Sequence, residues 1–295
     1  MKPLKRISDY RDDDRYREGF NRLARQVFNI SFETWYDRGF WDDRYVCYSY
    51  ANGDDVVANV SLSKLDLILD GRRLRAAQIG TVMTHPEYRR RGLAGDLIQA
   101  VLKDCEEGGY DIVYAVGDAS LRDYYPRFGF DPVIESQFIS CVEGTPGDTR
   151  LRRLHPSDPA DLNLVHRLST VRKPNSEVFG ADCAGGILIW YCFNVLGDCF
   201  SYWEEEDVAV VSRQKGPDLH LFDVISENDV AFEALLPQII TCDTKRIIFH
   251  FTPDLLDVSA QAIPMDDEDE DVFFVIGGST WTGPTRFKHP ATAQA

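Results

Sequence analysis

A run of basic and small residues opens a helix about a third of the way along the chain. It reads HPEYRRRGLAGDL over residues 85–97, with arginine at each of positions 89–91. The first amide groups of a helix have no intrahelical partner, and the helix dipole adds partial positive charge there. Gly92 and Ala94 leave the backbone open to an anion, and guanidinium groups bind phosphate oxygens well. This pattern predicts a pyrophosphate site; a basic helix cap beside a tight turn is the alternative.

The composition limits the partners that the protein can bind. The chain has 295 residues, with 48 acidic and 32 basic side chains and a formal net charge of −16. Binding along a nucleic-acid backbone needs a broad basic surface, so no nucleic-acid partner is predicted. An acidic surface attracts cations, which favours a small cationic substrate.

Cysteine spacing and hydropathy exclude further classes of protein. The seven cysteines include no CxxC pair, so neither a disulfide framework nor a zinc site is predicted, and no metal is expected. The N-terminal residues lack the apolar run of a secretory signal, and no stretch approaches the roughly 20 apolar residues of a membrane span. We therefore predict a cytoplasmic protein without a membrane partner. The acidic run over residues 265–271 is predicted to be a solvated loop.

Hydrophobic patterning places helices and strands around the arginine-glycine stretch. Two extended runs joined by an Asp-Gly pair at residues 70–71 predict a hairpin before it. An apolar helical face over residues 93–105, followed by two glycines, predicts a helix after it. A short buried strand over 111–117, a short helix and one strand over 129–142 are predicted next. This order is typical of a mixed α/β (α+β) layer.

Two motifs in this order resemble the GNAT acyltransferase superfamily. The spacing R-x-x-G-x-A in RRRGLA, after a strand and HPEYR, is similar to the coenzyme A loop of that family. About thirty residues later, YYPRFGF resembles its second signature, Y-x-x-x-G-F. The resemblance covers roughly residues 1–142 and implies the GNAT fold and an acetyl-CoA-dependent N-acetyltransferase, an enzyme that uses acetyl-CoA as cosubstrate.

The second half of the chain looks like a degenerate copy of the first. The segment EEEDVAVVS echoes GDDVVANVS, but nothing there resembles the arginine-glycine loop. The stretch EGTPGDTR, residues 143–150, is rich in Gly, Pro and charge and is predicted to be a linker. We therefore predict two tandem GNAT-like domains, 1–145 and 146–295. Bilobal acyltransferases, including the enhanced-intracellular-survival type, are the relatives that this organisation resembles.

The resemblance assigns a set of residues to acyl-CoA. It implies that the loop amides hold the pyrophosphate and that the pantetheine arm pairs with the preceding strand. A backbone N–H near Val82 or Met83 would then polarise the thioester carbonyl. The predicted cofactor-binding residues are Val82, Met83, Thr84, Arg89, Arg90, Arg91, Gly92, Leu93 and Ala94.

The resemblance also implies direct transfer of the acyl group to an amine, with a tyrosine as the acid. Tyr125 stands four residues before Gly129 and matches the family's tyrosine, which protonates the departing thiolate; Tyr124 is the alternative one position away. A phenol with a pKa of about 10 can donate to a thiolate.

The base that deprotonates the amine is less clear from the sequence. Many family members place a glutamate on the strand before the loop, and the matching position here is Gly80. Asp118, just after the strand predicted over 111–117, is the candidate base that we assign. A carboxylate such as Glu33 or Asp37, or a water chain to solvent, is the alternative.

An aromatic cluster over residues 32–50 falls where the family's acceptor site lies. Aromatic rings beside carboxylates suit a cationic amine. The predicted substrate-binding residues are Glu33, Trp35, Tyr36 and Trp41. A hydrophobic core with charges on its surface is the alternative explanation of this cluster.

Two other functions are compatible with the sequence. The protein could be a non-catalytic acyl-CoA-binding sensor, in which the missing glutamate reflects lost chemistry, or a partner-binding protein built on its second half. Tyr125 argues against a sensor, because a binder needs no thiolate acid. The segment VFFVIGGSTW is compatible with an edge strand that pairs with another chain or with an interior strand.

Overall fold

The computed structural model describes residues 3–142, 145–147, 150–265, 271–277 and 281–295. Most of the acidic loop predicted over 265–271, and half of the linker predicted over 143–150, therefore lie outside the described residues. No helix in the described part of the chain combines the length and the apolar composition needed to cross a membrane.

Helices and strands alternate through both halves. The helices are α1 Asp14–Phe28, α2 Glu33–Asp37, α3 Leu93–Gly108, α4 Pro159–Val171, α5 Gly185–Asn194 and α6 Phe232–Ile239. The strands of the first half are β1 Lys5–Ser8, β2 Tyr45–Asn52, β3 Asp55–Leu69, β4 Arg72–Thr84, β5 Ile112–Gly117, β6 Phe130–Val133 and β7 Ser136–Cys141. Those of the second half are β8 Leu151–Arg153, β9 Phe179–Asp182, β10 Phe200–Trp203, β11 Val208–Lys215, β12 Asp218–Ile225, β13 Arg246–Phe249, β14 Gln261–Pro264 and β15 Val272–Ile276.

These strands form two mixed sheets. The first has the order β1-β2-β3-β4-β5-β15-β6, with β9 added beside β3, and the second has the order β14-β7-β13-β12-β11-β10-β8. Within the described strands, β4–β5 and β12–β13 are the parallel neighbours and the other pairs are antiparallel. The predicted mixed α/β class is thus confirmed.

The two sheets exchange strands between the halves of the chain. β7 pairs with β13 and β14 in the second sheet, whereas β15 lies between β5 and β6 in the first. Phe273 and Phe274 of β15 are fully buried there. Of the two interpretations of this segment, an interior strand is confirmed. The predicted domain boundary between residues 145 and 146 stays a prediction. β7, before this boundary, pairs with strands that follow it, and β15, after it, pairs with strands that precede it.

One predicted strand is wrong. The run over residues 129–142 breaks between β6 and β7, and its two parts belong to different sheets. Glu135 lies at the break with its carboxylate buried, where it accepts hydrogen bonds from the His289 backbone N–H at 2.6 Å and from Lys288 Nζ at 3.1 Å. A buried carboxylate needs such partners, so the chain turns there toward its C-terminal segment.

The hairpin and the helix beside the arginine-glycine loop form as predicted. Asp70 and Gly71 both have left-handed φ angles, 48° and 74°, as a two-residue turn of type I′ requires. α3 buries Leu97, Ile98 and Val101 in a core cluster with residues of the first sheet. It ends at Gly108, and the capping residue Gly109, with a φ of 64°, closes the last turn.

Candidate active site

β4 and β5 separate at the end of their parallel pairing. They pair from Ala76 opposite Ile112 to Ile79 opposite Ala115, and no further pair follows along either described strand. At the same level the pairing of β4 with β3 shifts, and Thr81 adopts a left-handed φ of 46°. Such a bulge re-aims the strand and leaves its β5-facing edge free over the segment predicted to hold pantetheine.

The loop after β4 presents uncapped amide groups. Gly92 precedes α3 with a φ of 78°, and no side chain caps the helix. A Cβ atom built on Gly92 would meet nothing within 4 Å, so the space beside Gly92 at the helix start is open. The first amides of α3, which include those of Leu93 and Ala94, can therefore bind an anion directly.

Two of the three arginines are fixed by the backbone beside this opening. Arg89 Nε donates to the Thr84 carbonyl at 3.2 Å, and Arg91 Nη2 donates to the Glu87 carbonyl at 2.8 Å. Each guanidinium has five N–H donors and keeps several for a ligand. Arg90 is exposed and has a left-handed φ of 60°.

The three predicted strand residues lie differently. Val82 lines the cavity described below, while the Met83 side chain is buried in the hydrophobic core. Thr84 contributes its carbonyl to Arg89, as above. Val82 is thus the one of the three that lines the cavity, and Met83 can act toward a ligand through its backbone alone.

A cavity of about 360 Å³ lies where β4 and β5 part. β4 contributes Gly80, Thr81 and Val82 to its wall, and β5 contributes Val116 and Gly117. Its remaining wall residues are Phe28, Ile30, Phe32, Trp35, Tyr45, Asp118, Leu121, Tyr125, Ile187, Trp190, Tyr191, Gln294 and Ala295. Most of these side chains are apolar or aromatic, and the second half of the chain supplies the last five.

Tyr125 lies at this cavity in a packed aromatic setting. Its ring centroid is 5.4 Å from that of Phe130 and 4.9 Å from that of Phe274 on the exchanged strand β15. Burial raises the pKa of Tyr125 to about 12, so the phenol stays protonated at neutral pH. Its hydroxyl makes no hydrogen bond to any of the described residues, which leaves its proton available to a ligand.

Asp118 stands at the edge of the same cavity but is already engaged. Its carboxylate accepts a hydrogen bond from the Ser120 backbone N–H at 2.8 Å, which lowers the pKa of the Asp118 carboxyl. The side chain is also exposed. A more acidic, solvated carboxylate is a weaker base, so this geometry does not favour the role predicted for Asp118.

Ala295 occupies the place where the sequence led us to look for a glutamate. A Cβ atom built on Gly80 would lie 2.5 Å from the Ala295 carbonyl oxygen and 2.7 Å from its carbonyl carbon. No side chain fits at Gly80 while Ala295 lies there. The same residue lines the cavity that Tyr125 lines.

Buried polar contacts hold the segment that carries Ala295. Besides the Glu135 contacts, Thr292 Oγ1 donates to Asp223 Oδ2 at 2.6 Å. The same carboxylate forms a bidentate pair with Arg172 at 2.7 and 2.8 Å. The Ala291 backbone N–H donates to the His250 carbonyl at 2.9 Å. These contacts fix the segment against the second sheet and against the break between β6 and β7.

The predicted acceptor residues are mostly occupied elsewhere. Glu33 pairs with Arg25 at the surface, and the Tyr36 ring lies 3.7 Å from the Arg17 guanidinium. Trp41 is buried and donates from Nε1 to the Tyr45 carbonyl at 3.0 Å. Of the four predicted residues, Trp35 alone lines the described cavity. The alternative explanation, a core with charges on its surface, fits the other three.

Sequence reasoning missed α5 and the end of the chain. α5 supplies Ile187, Trp190 and Tyr191 to the cavity, and Trp35 Nε1 donates to the carbonyl of Gly186 at 2.9 Å. The sequence signal for a buried helix is present, because GGILIWYCFN contains no charged residue. The Ala295 contact has no local signal.

Comparison with known proteins agrees with this geometry. A model of the acetyltransferase (GNAT) domain matches residues 10–133. These residues form a GNAT acetyltransferase domain. The chain thus contains a GNAT acetyltransferase domain, and both signature motifs fall within the match. YhbS of Escherichia coli K12, an uncharacterized N-acetyltransferase, is 27% identical to this chain over 139 residues. The aligned residues cover 46% of this chain and 80% of YhbS.

Similarity of fold to solved structures extends to the second half of the chain. A probable N-acyltransferase from Enterococcus faecalis superposes with a TM-score of 0.62 at 14% identity, covering 94% of this chain and 73% of its own. A GCN5-related N-acetyltransferase from Kribbella flavida superposes with a TM-score of 0.56 at 18% identity. The superposition covers 92% of this chain and 71% of that protein. Eis1 from Mycobacterium abscessus superposes with a TM-score of 0.53 at 16% identity. The superposition covers 92% of this chain and 72% of Eis1. At such identities the likeness is one of fold.

Proposed function

We propose that this GNAT acyltransferase moves an acetyl group from acetyl-CoA to a primary amine bound in the cavity between β4 and β5. The observation that carries the proposal is the placement of Tyr125 and the Ala295 oxygen at one apolar cavity, beside the free edge of β4. A proton donor for the thiolate and an acceptor for the amine proton are the two groups that direct transfer needs.

The uncapped start of α3 would hold the pyrophosphate of acetyl-CoA. Arg89 and Arg91, fixed by backbone carbonyls, would add charge to the amides that follow Gly92. The free edge of β4 at Val82 and Met83 would bond the pantetheine amides as an added strand does. A backbone N–H of that edge would then polarise the thioester carbonyl.

In the transfer step, the amine nitrogen attacks the thioester carbonyl carbon. A C–N bond forms and the C–S bond breaks, so the electron pair leaves on sulfur. Tyr125 protonates the departing thiolate, and its phenolate regains a proton from solvent. The amine loses one proton to become a nucleophile and a second on forming the amide.

The Ala295 oxygen is the group we propose to receive the amine proton or to orient it. It lies against Gly80, the position that a glutamate takes in many relatives. An oxygen at this place can accept a hydrogen bond from the amine N–H and so orient the nitrogen toward the thioester. The segment's contacts with Glu135 and Asp223 would keep it in place.

A charge pair of variants at Gly92 tests the cofactor site. Asp and Asn both tolerate the left-handed backbone at this position and have the same shape. We expect acetyl-CoA binding, measured by calorimetry, to weaken at least tenfold in Gly92→Asp relative to Gly92→Asn. Equal binding by the two folded variants would contradict an anion site at α3.

Turnover separates this function from an acyl-CoA sensor. We expect the wild type to acetylate primary amines, with the product detected by mass spectrometry. A thiol reagent for released CoA would also react with the exposed Cys141 and Cys242. Tight acetyl-CoA binding without acetylation of any amine in a broad panel would favour the sensor.

A further inference from the structure

α5 of the second half forms part of the wall of the cavity. Ile187, Trp190 and Tyr191 line the cavity, and the Gly186 carbonyl accepts the Trp35 hydrogen bond that joins this helix to α2. The Trp190 ring packs against Phe32 of the first half, with the two ring centroids 5.6 Å apart. The second half therefore contributes residues that a bound acceptor would touch.

The walls of the cavity are poor in charge. Among the residues that line it, all within the described part of the chain, Asp118 carries the one charged side chain at neutral pH. That carboxylate already accepts from Ser120 and faces solvent. The Tyr45 hydroxyl is also engaged, because it donates to Thr81 Oγ1 at 2.8 Å. A second ammonium group inside would lose water without gaining a partner.

Flat apolar groups suit these walls much better. Trp35 and Phe32 present aromatic rings from the first half, and Trp190 and Tyr191 present rings from α5. Aromatic rings pack well in stacked or edge-to-face arrangements and gain from removal of apolar surface from water. Among the groups that line the cavity, Tyr125 and the Ala295 oxygen are those that the proposed transfer uses, so the amine would lie beside them.

We propose that the acceptor is a monoamine with a flat apolar body, of the arylalkylamine class, and that α5 selects it. The inference rests on the proposed function, because it assigns the occupant of the same cavity. The ring lies among Trp35, Phe32 and Trp190, and the amine points to the Ala295 oxygen. Burying the further ammonium groups of a polyamine among these residues would cost free energy, which disfavours that class.

The test compares three amines at a saturating concentration of acetyl-CoA. These are 2-phenylethylamine, propylamine with the same single charge, and spermidine with several charges. We expect kcat/KM for 2-phenylethylamine to exceed both others by at least tenfold, since burying a ring rather than a short alkyl end gains about that factor. A preference for spermidine would overturn the inference.

A matched pair of variants on α5 assigns the selection to its cavity face. We expect Trp190→Ala to lower kcat/KM for 2-phenylethylamine about tenfold and that for propylamine less than twofold. Phe193→Ala is the control, because the Phe193 ring lies on the same helix, packs against Phe40 and does not line the cavity. In this variant the ratio of kcat/KM for the two amines should stay at the wild-type value. Trp190→Phe should retain most of the preference, and it serves where the alanine variant fails to fold.

Three outcomes keep the two proposals apart. If the protein acetylates spermidine or propylamine at least as well as 2-phenylethylamine, the proposed function stands and the acceptor class is wrong. If it binds acetyl-CoA and acetylates none of these or a wider panel, both fall. If Trp190→Ala changes the preference among acyl-CoA chain lengths but not that among amines, the cavity holds the acyl chain and the inference is overturned.

Discussion

Replacing Gly80 with alanine would put a methyl group where Ala295 lies. The new Cβ would be 2.5 Å from the Ala295 oxygen and 2.7 Å from its carbonyl carbon, far inside van der Waals contact. β4 is held by β3 at this point, with Gly80 opposite Ser61, so Ala295 must yield. We expect the free energy of unfolding to fall by about 1–3 kcal/mol, as for overpacked sites. We also expect kcat/KM to fall about a hundredfold, the contribution of a lost proton acceptor.

Deleting residues 294 and 295 isolates that contact. The three atoms nearest to the built Cβ all belong to Ala295, so in the shortened chain Gly80→Ala should change the free energy of unfolding by less than about 0.5 kcal/mol. Urea unfolding of the four proteins gives the coupling, and acetylation of a fixed amine gives the activity. An equal destabilisation by Gly80→Ala in the full and shortened chains would refute the contact with Ala295. Full activity of the shortened chain would refute its role in the reaction.

A rescue experiment then separates chemistry from packing. In the shortened chain the space at Gly80 is vacated, so Gly80→Glu can place a carboxylate at the cavity from β4. Gly80→Gln has the same shape without the charge and is the matched control. We expect the glutamate variant to exceed the glutamine variant at least tenfold in kcat. Equal rates would show that no base is needed at this position.

Three further predictions follow from the same site. Tyr125→Phe should lower kcat at least a hundredfold and leave acetyl-CoA affinity within about twofold of the wild-type value. Tyr124→Phe should change kcat little. The reverse pattern would make Tyr124 the acid. Burial lowers the pKa of His250 and His289 to about 3. Between this pH and about 6.5, the unfolded chain binds protons at these side chains that the folded chain does not. The free energy of unfolding should therefore fall as the pH drops through this range. Urea unfolding at pH 7.5 and 5.5 tests this, and equal stability would contradict it. Glu135→Gln should lower kcat, measured with 2-phenylethylamine, by displacing the C-terminal segment although it lies outside the cavity; an unchanged kcat would show that other contacts suffice.

The parts that the sequence predicted are those set by local rules. The turn at residues 70–71 follows from the φ angles that Asp-Gly adopts readily. The loop before α3 follows from the geometry of a helix start, and Tyr125 from its spacing to Gly129. Each signal lies within a few residues of the feature that it predicts, so no knowledge of the rest of the chain is needed.

The acceptor residues could not be predicted in the same way. The aromatic cluster contains residues of similar type, and only their packing decides which face the cavity. Trp41 fills the core and Trp35 lines the cavity because α5 lies beside it, a contact across 151 residues of sequence. Hydrophobic pattern tells which side chains avoid water, and many partners can satisfy that need.

The sequence by itself indicated the GNAT domain, and it predicted the anion site and the acid. Tertiary structure decided that β15 crosses into the first sheet behind Tyr125, that α5 forms one wall of the cavity, and that Ala295 fills the space at Gly80. The reason is that these contacts join segments far apart along the chain. Which segments contact each other depends on strand register, on partners for buried charged groups such as Glu135, and on the volume of the packed side chains. Each of these depends on the whole fold.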